Sequence, residues 1–237
     1  MRRLFVAGCS YSDYTTDMGI RPDLITPYGQ RLAAQLGYEY WHEAAGCGSN
    51  YRIWRSITAH IMAGNLRPDD LLLVQYTEFA RQEFWTSLTK TIAWAAPAHP
   101  ITDPGPDHGT IIRYKPGSAE WQANKKSKQF FQRYEENFVN KIWATQQWQF
   151  MHFNFQHMLI GRNIRTIFMN TRMFKDGCDE LLDQFIPHVF VEDEDYILNT
   201  QTWLNPKDRY HMSQVGHSLV ASQLYEHINQ VFPDIIN

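Results

Sequence analysis

Short apolar segments alternate with helical patterns along this 237-residue chain, and this alternation constrains the fold more than any other feature. The predicted strands are short and bounded by Gly, Asp or Asn, and they are Arg3–Ala7, Tyr38–Glu43, Leu71–Gln75, Ile164–Asn170 and Pro187–Val191. The helical patterns between them cover Pro27–Leu36, Asn50–Ala63 (with Asn50 as the expected cap), roughly Tyr134–Ile160, and Ser213–Val231. Right-handed crossovers between parallel strands place helices on both faces of a sheet. The sequence therefore predicts an α/β fold, a three-layer α/β/α sandwich with a central parallel sheet.

A stretch rich in proline and glycine, from about Trp94 to Gln129, interrupts this alternation. We expect a single domain over residues 1–237, because 43% hydrophobic residues suffice for one full core. In that domain, the stretch at about 94–129 is an excursion over the edge of the sheet that carries the site, as a lid or specificity loop.

Composition excludes several classes of partner. A net charge of −3 and a pI of about 6.4 give no electrostatic footprint for nucleic acid. The apolar run after Met1-Arg2-Arg3 is only four residues long, which predicts neither a signal peptide nor a membrane span. Three cysteines fit a reducing compartment, so a cytoplasmic location is expected. The oligomeric state is left open.

A serine follows the first predicted strand in the motif Gly8-Cys9-Ser10. A tight turn between a strand and a helix exposes a hydroxyl together with backbone N–H groups, as a nucleophile requires. Ser10 is therefore the candidate nucleophile. Ser12 competes with it, and an ordinary turn or N-cap serine is the structural alternative.

An acid and an imidazole lie three residues apart near the other end of the chain, at Asp208 and His211. Imidazole can take the proton of a serine near neutral pH, and a carboxylate can orient its other ring nitrogen. We predict His211 as the base and Asp208 as its partner. His217 is the alternative base.

A glycine-rich segment follows the second predicted strand and leads into a helix. Its residues Gly46 and Gly48 allow close approach of the backbone to a ligand, and the amides at a helix N-terminus favour an anion. This segment is the candidate oxyanion loop. A flexible turn is the alternative, and Asn50 is expected to cap the helix in either case.

These motifs resemble the SGNH (GDSL-type) hydrolase superfamily, in particular its branch with a Gly-Cys-Ser opening, over nearly the whole chain. The resemblance implies a flavodoxin-like α/β/α fold and hydrolysis of acyl esters of lipids, acetylated sugars or small alcohols. It also implies that Ser10 is the nucleophile, that Asp208 and His211 form the Asp-x-x-His block, and that Gly48 or Gly46 is the second-block glycine.

The chain departs from that pattern at two positions. The Gly-x-Asn-Asp block is replaced by Gln75-Tyr76-Thr77-Glu78, so Gln75, Thr77 and Asn50 are the candidate side-chain oxyanion donors. Cys9 stands where the family has aspartate; it is expected to be a packed residue, with a nucleophilic role as the lesser alternative.

Further candidates surround this proposed site. Arg81 and Tyr76, just beyond the third strand, are candidate substrate-binding residues, with a surface ion pair as the alternative for Arg81. Cys9 and Cys47 are expected to lie close together with reduced thiols. No cofactor is predicted, and no metal either, since the acidic and histidine residues of the excursion (His99, Asp103, Asp107 and His108) match no well-specified metal site.

The sequence thus predicts a serine hydrolase that cleaves O-acyl esters through an acyl-serine intermediate. Its expected partner is a small-molecule or carbohydrate ester. A catalytically silent binding or structural protein of the same fold is the main alternative, and an acyltransferase is a further one.

Overall fold

A computed structural model describes residues 1–9, 12, 26–44, 49–76, 82–86, 91–95, 133, 141–170, 188–190 and 214–235, and for residues 82–86, 91–95, 141–145, 170 and 188–190 the backbone alone. In chain order the elements are β1 (Arg3–Ala7), α1 (Tyr28–Leu36), β2 (Glu39–His42), α2 (Asn50–Met62), β3 (Leu71–Gln75), β4 (Gln82–Thr86), β5 (Thr91–Ala95), α3 (Lys141–Gly161), β6 (Arg165–Asn170), β7 (His188–Phe190), α4 (Gln214–Val231) and a 3₁₀ turn (Pro233–Ile235).

The central sheet has five parallel strands in the order β2-β1-β3-β6-β7. In the register of the three inner strands, Phe5 lies beside Leu72, and Leu72 beside Thr166. All carboxyl ends of these strands therefore meet at one edge of the sheet. The predicted parallel α/β/α fold is confirmed.

Two hydrophobic cores lie on the two faces of this sheet. Alternate strand residues point to opposite faces, so the buried residues 4–7 of β1 and 71–74 of β3 form continuous apolar runs. Leu4, Leu71 and Leu73 face α1 and α4, whereas Phe5 and Leu72 face α2 and α3. The helices therefore cover both faces, as three layers require.

Local sequence signals set the helix ends, with one correction. Helix α1 ends at Gly37, whose φ of 68° is a left-handed conformation that glycine adopts without strain. The predicted cap at Asn50 is wrong by one residue: the Ser49 side chain accepts a hydrogen bond from Arg52 N, and Asn50 begins α2.

Strands β4 and β5 form an antiparallel hairpin outside the main sheet, which the sequence analysis did not predict. The hairpin follows β3 and overlaps the start of the predicted excursion, at Trp94 and Ala95. The rest of that excursion, 96–129, lies outside the described residues. Within the described ranges, no helix is both long enough and apolar enough to cross a lipid bilayer.

Ion pairs mark the amino edge of the sheet, where its strands begin. Arg3, the first residue of β1, contacts the fully buried carboxylate of Asp70 at 2.5 Å. Asp70 also accepts a hydrogen bond from Arg67 N at 2.9 Å, and Arg165, the first residue of β6, pairs with Asp234. Burial alone would raise the pKa of the Asp70 carboxyl, but the Arg3 and Arg67 contacts outweigh it and lower that pKa.

Candidate active site at the carboxyl edge of the sheet

A closed turn follows β1 at the carboxyl edge. The Ser12 N–H donates to the Cys9 carbonyl oxygen at 2.9 Å, a contact that spans three residues, as in a β-turn. Cys9 and Ser12 are both buried. Ser10 lies between them in the sequence and outside the described residues, so the structure defines the two flanks of the predicted nucleophile.

Gln75, the last residue of β3, connects the turn to the neighbouring strand. Its side-chain oxygen Oε1 accepts a hydrogen bond from Ser12 Oγ at 2.5 Å. Its Nε2 lies 3.3 Å from Cys9 Sγ and 3.1 Å from the backbone carbonyl oxygen of Tyr76. The Gln75 side chain is fully buried. A buried amide with its donor and acceptor both engaged fixes the geometry of the groups around it.

Gly8 is required by this packing. A Cβ atom at that position would lie 2.5 Å from Ser12 Oγ and 2.8 Å from Gln75 Oε1. Both distances are shorter than the van der Waals contact distance between carbon and oxygen, so a side chain at this position would clash. The glycine of the Gly8-Cys9-Ser10 motif therefore lets the turn approach β3.

Tyr28 and His217 extend the same contacts to the helices. The Tyr28 hydroxyl bonds to Ser12 Oγ, and the Tyr28 backbone N–H donates to His217 Nδ1 at 3.2 Å. The two rings stack with centroids 5.9 Å apart. We call the set Cys9, Ser12, Tyr28, Gln75 and His217 the Gln75 network; it joins the β1 turn, the end of β3, the start of α1 and the first turn of α4.

The Gln75 network is built on hydrogen bonds without an ion pair among the described residues. Burial raises the pKa of the Tyr28 phenol, so that hydroxyl stays protonated at neutral pH. Serine hydroxyls and glutamine amides do not ionise in this range. The network therefore holds its segments in place through hydrogen bonds, whose strength depends on the orientation of donor and acceptor.

A second polar cluster lies on the opposite face of the sheet at the same edge. Trp54 Nε1 donates to the Tyr76 hydroxyl at 3.2 Å, and that hydroxyl contacts His152 Nδ1 at 2.6 Å. His152 is 3% exposed, and burial lowers its pKa to about 4, so its imidazole is neutral at pH 7. Because tryptophan can only donate, the hydroxyl proton of Tyr76 is available to His152 Nδ1. We call Trp54, Tyr76 and His152 the Tyr76 cluster.

Two alternatives from the sequence have a structural role. Ser12 is 2% exposed, and its hydroxyl is engaged by Gln75 and Tyr28, so it lacks the accessibility of a nucleophile. His217 is fully buried and its Nδ1 accepts from Tyr28 N. Ser10 and His211 lie outside the described residues, and their roles as nucleophile and base stay predictions.

The other predicted site residues form two groups: those outside the described residues, and those that the structure shows to be buried. Those outside the described residues are Asp208, Gly46, Gly48, Thr77 and Arg81, and Cys47 with them. Asn50 is buried at the start of α2, and its role as an oxyanion donor stays a prediction. Gln75 and Tyr76 are fully buried, and their contacts give them scaffold positions. Their roles in oxyanion and substrate binding stay predictions.

The sequence analysis missed that Tyr28, Ser12 and His217 meet. Tyr28 and His217 are 189 residues apart, and no local pattern connects them. A usable signal existed for Gln75, because Leu71 and Leu73 share its side of β3 and both face a core. Among the residues that the structure describes, no group of three or more His, Cys, Asp or Glu side chains could hold a metal ion.

The fold was compared with solved structures. A lipolytic protein assigned to the G-D-S-L family from Desulfitobacterium hafniense DCB-2 matches with a TM-score of 0.52 at 9% identity, over 95% of this chain and 99% of that one. The lipase/acylhydrolase from Enterococcus faecalis matches with a TM-score of 0.51 at 10% identity, over 98% and 97%. The fold is that of the SGNH hydrolases.

Sequence comparison gives no such match. No protein-family model matches the chain, and no curated protein matches it significantly. The likeness is therefore one of fold, to proteins described as a lipolytic protein of the G-D-S-L family and a lipase/acylhydrolase.

Proposed function

We propose that this protein is a serine hydrolase that cleaves O-acyl esters of a small alcohol or carbohydrate. In the proposed site, Ser10 is the nucleophile, His211 the base and Asp208 the residue that orients His211. The backbone amides of Ser10 and Gly48 are the proposed oxyanion donors. Arg81 is a proposed contact to the substrate.

The observation that carries the proposal is the buried contact between the β1 turn and Gln75. Residues 8, 9 and 12 are fixed on both sides of Ser10, at the carboxyl edge where ligands bind in open α/β sheets. His217, six residues after His211, is tied to the same network through Tyr28. The network thus anchors segments next to both proposed catalytic residues.

The reaction proposed for this site proceeds in two steps. Ser10 Oγ attacks the ester carbonyl carbon while His211 takes its proton, and the tetrahedral oxyanion is stabilised by the two amides. Collapse breaks the bond to the alcohol oxygen, which receives the proton from His211. Water then attacks the acyl-serine with His211 again as base, releasing the carboxylic acid and restoring Ser10.

A panel of chromogenic esters with acyl chains of two to about twelve carbons tests this proposal directly. Wild type should hydrolyse at least one ester, and Ser10→Ala should lose about three or more orders of magnitude in kcat/KM. The matched control is Ser12→Ala, which removes the neighbouring hydroxyl and should retain measurable turnover. A chain that is inactive on the whole panel, or whose activity survives Ser10→Ala, would favour the silent protein of the same fold.

Labelling with a fluorophosphonate gives an independent readout, since it needs an activated serine but no particular ester. Mass spectrometry should locate the adduct on Ser10 in wild type and in Ser12→Ala. Loss of labelling in His211→Gln would support its role as base. An adduct on another residue would refute the assignment of Ser10.

A further inference from the structure

The solvent side of α3 carries a seam of three apolar side chains interspersed with Gln146 and His157. Its five positions are all exposed and are separated by four, three, four and three residues; they are Gln146, Phe150, Phe153, His157 and Ile160. Phe150 is 64% exposed, Phe153 53% and Ile160 60%. The rings of Phe153 and His157 contact each other edge to face, with centroids 4.2 Å apart. We call these five residues the outer seam.

The spacing of the outer seam is the spacing at which one helix packs along another. Alternation of four and three residues keeps side chains on one line of a helix and gives the heptad seam of coiled coils. On the opposite side of α3, the core residues Trp148, His152, Phe155 and Leu159 follow the same spacing and are buried. A helix that is apolar on two opposite sides is normally covered on both.

The lack of charged residues along most of α3 indicates what kind of partner covers the outer seam. From Ile142 to Gly161 the helix contains no Asp, Glu, Lys or Arg. A helix that lies on a membrane surface carries basic residues on its polar side, and α3 has none in this span. Depletion of charge with enrichment of Phe and Met is typical of the centre of a protein interface. An uncharged seam can also meet its own copy without repulsion between like charges.

We propose that the outer seam packs against the same seam of a second copy, forming a two-fold symmetric dimer. In such an interface one patch serves both partners, so it must complement itself, and an uncharged heptad seam does so. This proposal is independent of the proposed hydrolase activity.

The length of α3 limits the area of the proposed contact and therefore the affinity of the dimer. A helix of 21 residues is about 30 Å long and about 10 Å wide, so the contact lies at the small end of specific interfaces. We therefore expect dissociation in the micromolar range. Sedimentation velocity of the full chain from about 1 to about 100 µM spans that range.

The first measurement compares single substitutions. Wild type should shift with concentration from the 27.9 kDa monomer to twice that mass. Phe153→Lys and Phe150→Lys should each weaken dimerisation at least about a hundredfold, because they place two like charges in one contact. Val215→Lys is the matched control, since Val215 is 51% exposed on a different helix, α4. It should dimerise like wild type.

The second measurement tests whether the seam meets itself. Phe153→Glu and Phe153→Lys should each be monomeric alone, and an equal mixture should form a dimer. A contact between the seam and a different surface would not be restored by mixing. Circular dichroism of each variant confirms the fold, and the milder Ile160→Gln replaces any variant that fails to fold.

Three results would overturn the proposal. The first is a wild type that stays monomeric to about 100 µM. The second is a Phe153→Lys whose thermal midpoint, measured at about 1 µM where wild type is also monomeric, is lowered as for a core substitution, since the seam is then covered within its own chain. The third is a mixture of the two oppositely charged variants that remains monomeric.

Discussion

The two edges of the sheet are held together by different chemistry. At the amino edge, Arg3 and Asp70 form a buried ion pair and Arg165 pairs with Asp234 at the surface. At the carboxyl edge, the Gln75 network and the Tyr76 cluster join six segments by hydrogen bonds between neutral groups, among them Gln75 with Ser12. The contacts of these two groups are therefore neutral and directional, although the same edge also holds the contact of Glu43, directly after β2, with His60 Nε2 at 2.8 Å.

This difference has a consequence for a site at the carboxyl edge. Ion pairs create fields that extend several ångströms and depend on salt, whereas neutral buried hydrogen bonds act at contact range. A neutral scaffold therefore fixes geometry without competing with charges that a reaction needs.

Replacing Gln75 should cause the largest loss. Gln75→Leu keeps about the same volume but leaves the Ser12 hydroxyl and the Tyr76 carbonyl without their buried partner, which should cost about 3 kcal/mol in the free energy of unfolding. Urea unfolding measures it. Gln30→Leu, at an exposed position of α1, is the control and should change stability by less than about 0.5 kcal/mol. Equal stability of Gln75→Leu and wild type would show that the network is not the scaffold.

Acid should weaken the carboxyl edge first. Folded His152 binds a proton only near pH 4, whereas unfolded His152 binds it near 6.5, so stability falls as pH drops from 6.5 to 4. The total loss should be up to about 3 kcal/mol. His152→Gln should remove most of this slope. Urea unfolding at several pH values checks it, and an unchanged slope in His152→Gln would assign the acid sensitivity elsewhere.

Breaking the Arg3–Asp70 pair at the amino edge should destabilise the fold with a different dependence on pH. Asp70→Asn leaves the largely buried Arg3 without its counter-charge and should cost about 2 kcal/mol at pH 7. The pKa of folded Asp70 is lowered, so its contribution is present above pH about 4 and is lost as pH falls below it. Asp70→Asn should therefore keep the slope between pH 6.5 and 4. A flattened slope in that window would contradict the separation of the two edges.

The smallest effect should come from Tyr28→Phe, which removes one neutral hydrogen bond to Ser12 and should cost about 1 kcal/mol. Tyr38→Phe removes an exposed hydroxyl that accepts from Arg2 and is the control. The difference between the two variants should persist in 1 M NaCl, where exposed charged contacts are screened. A difference that disappears in salt would argue that the carboxyl edge is ionic after all.

Much of the fold could be predicted from sequence, because buried strands leave a strong local signal. The boundaries of β1 and β3 agree with the prediction, since both are apolar runs that end at small or polar residues. Strand β7 covers His188–Phe190, and the other two predicted residues, Pro187 and Val191, lie outside the described residues. The hairpin of β4 and β5 was missed because no Asn-Gly or Asp-Gly turn lies between its strands.

The candidate site was less predictable, because residue type does not reveal which polar side chains point inward. Tyr76 and Gln75 are adjacent and were both placed at the site, yet they project to opposite faces of the sheet and join different clusters. Tyr28 and His217 gave no signal, since their contact joins residues far apart in the chain. Such contacts depend on the tertiary fold.

The buried thiol of Cys9 can serve as a probe for opening of the carboxyl edge of the sheet. Cys9 is fully buried and its sulfur lies against Gln75, so a thiol reagent can reach it only after the β1 turn has separated from β3. The rate of its alkylation, read from the peptide that carries it, then measures how often this edge opens under native conditions.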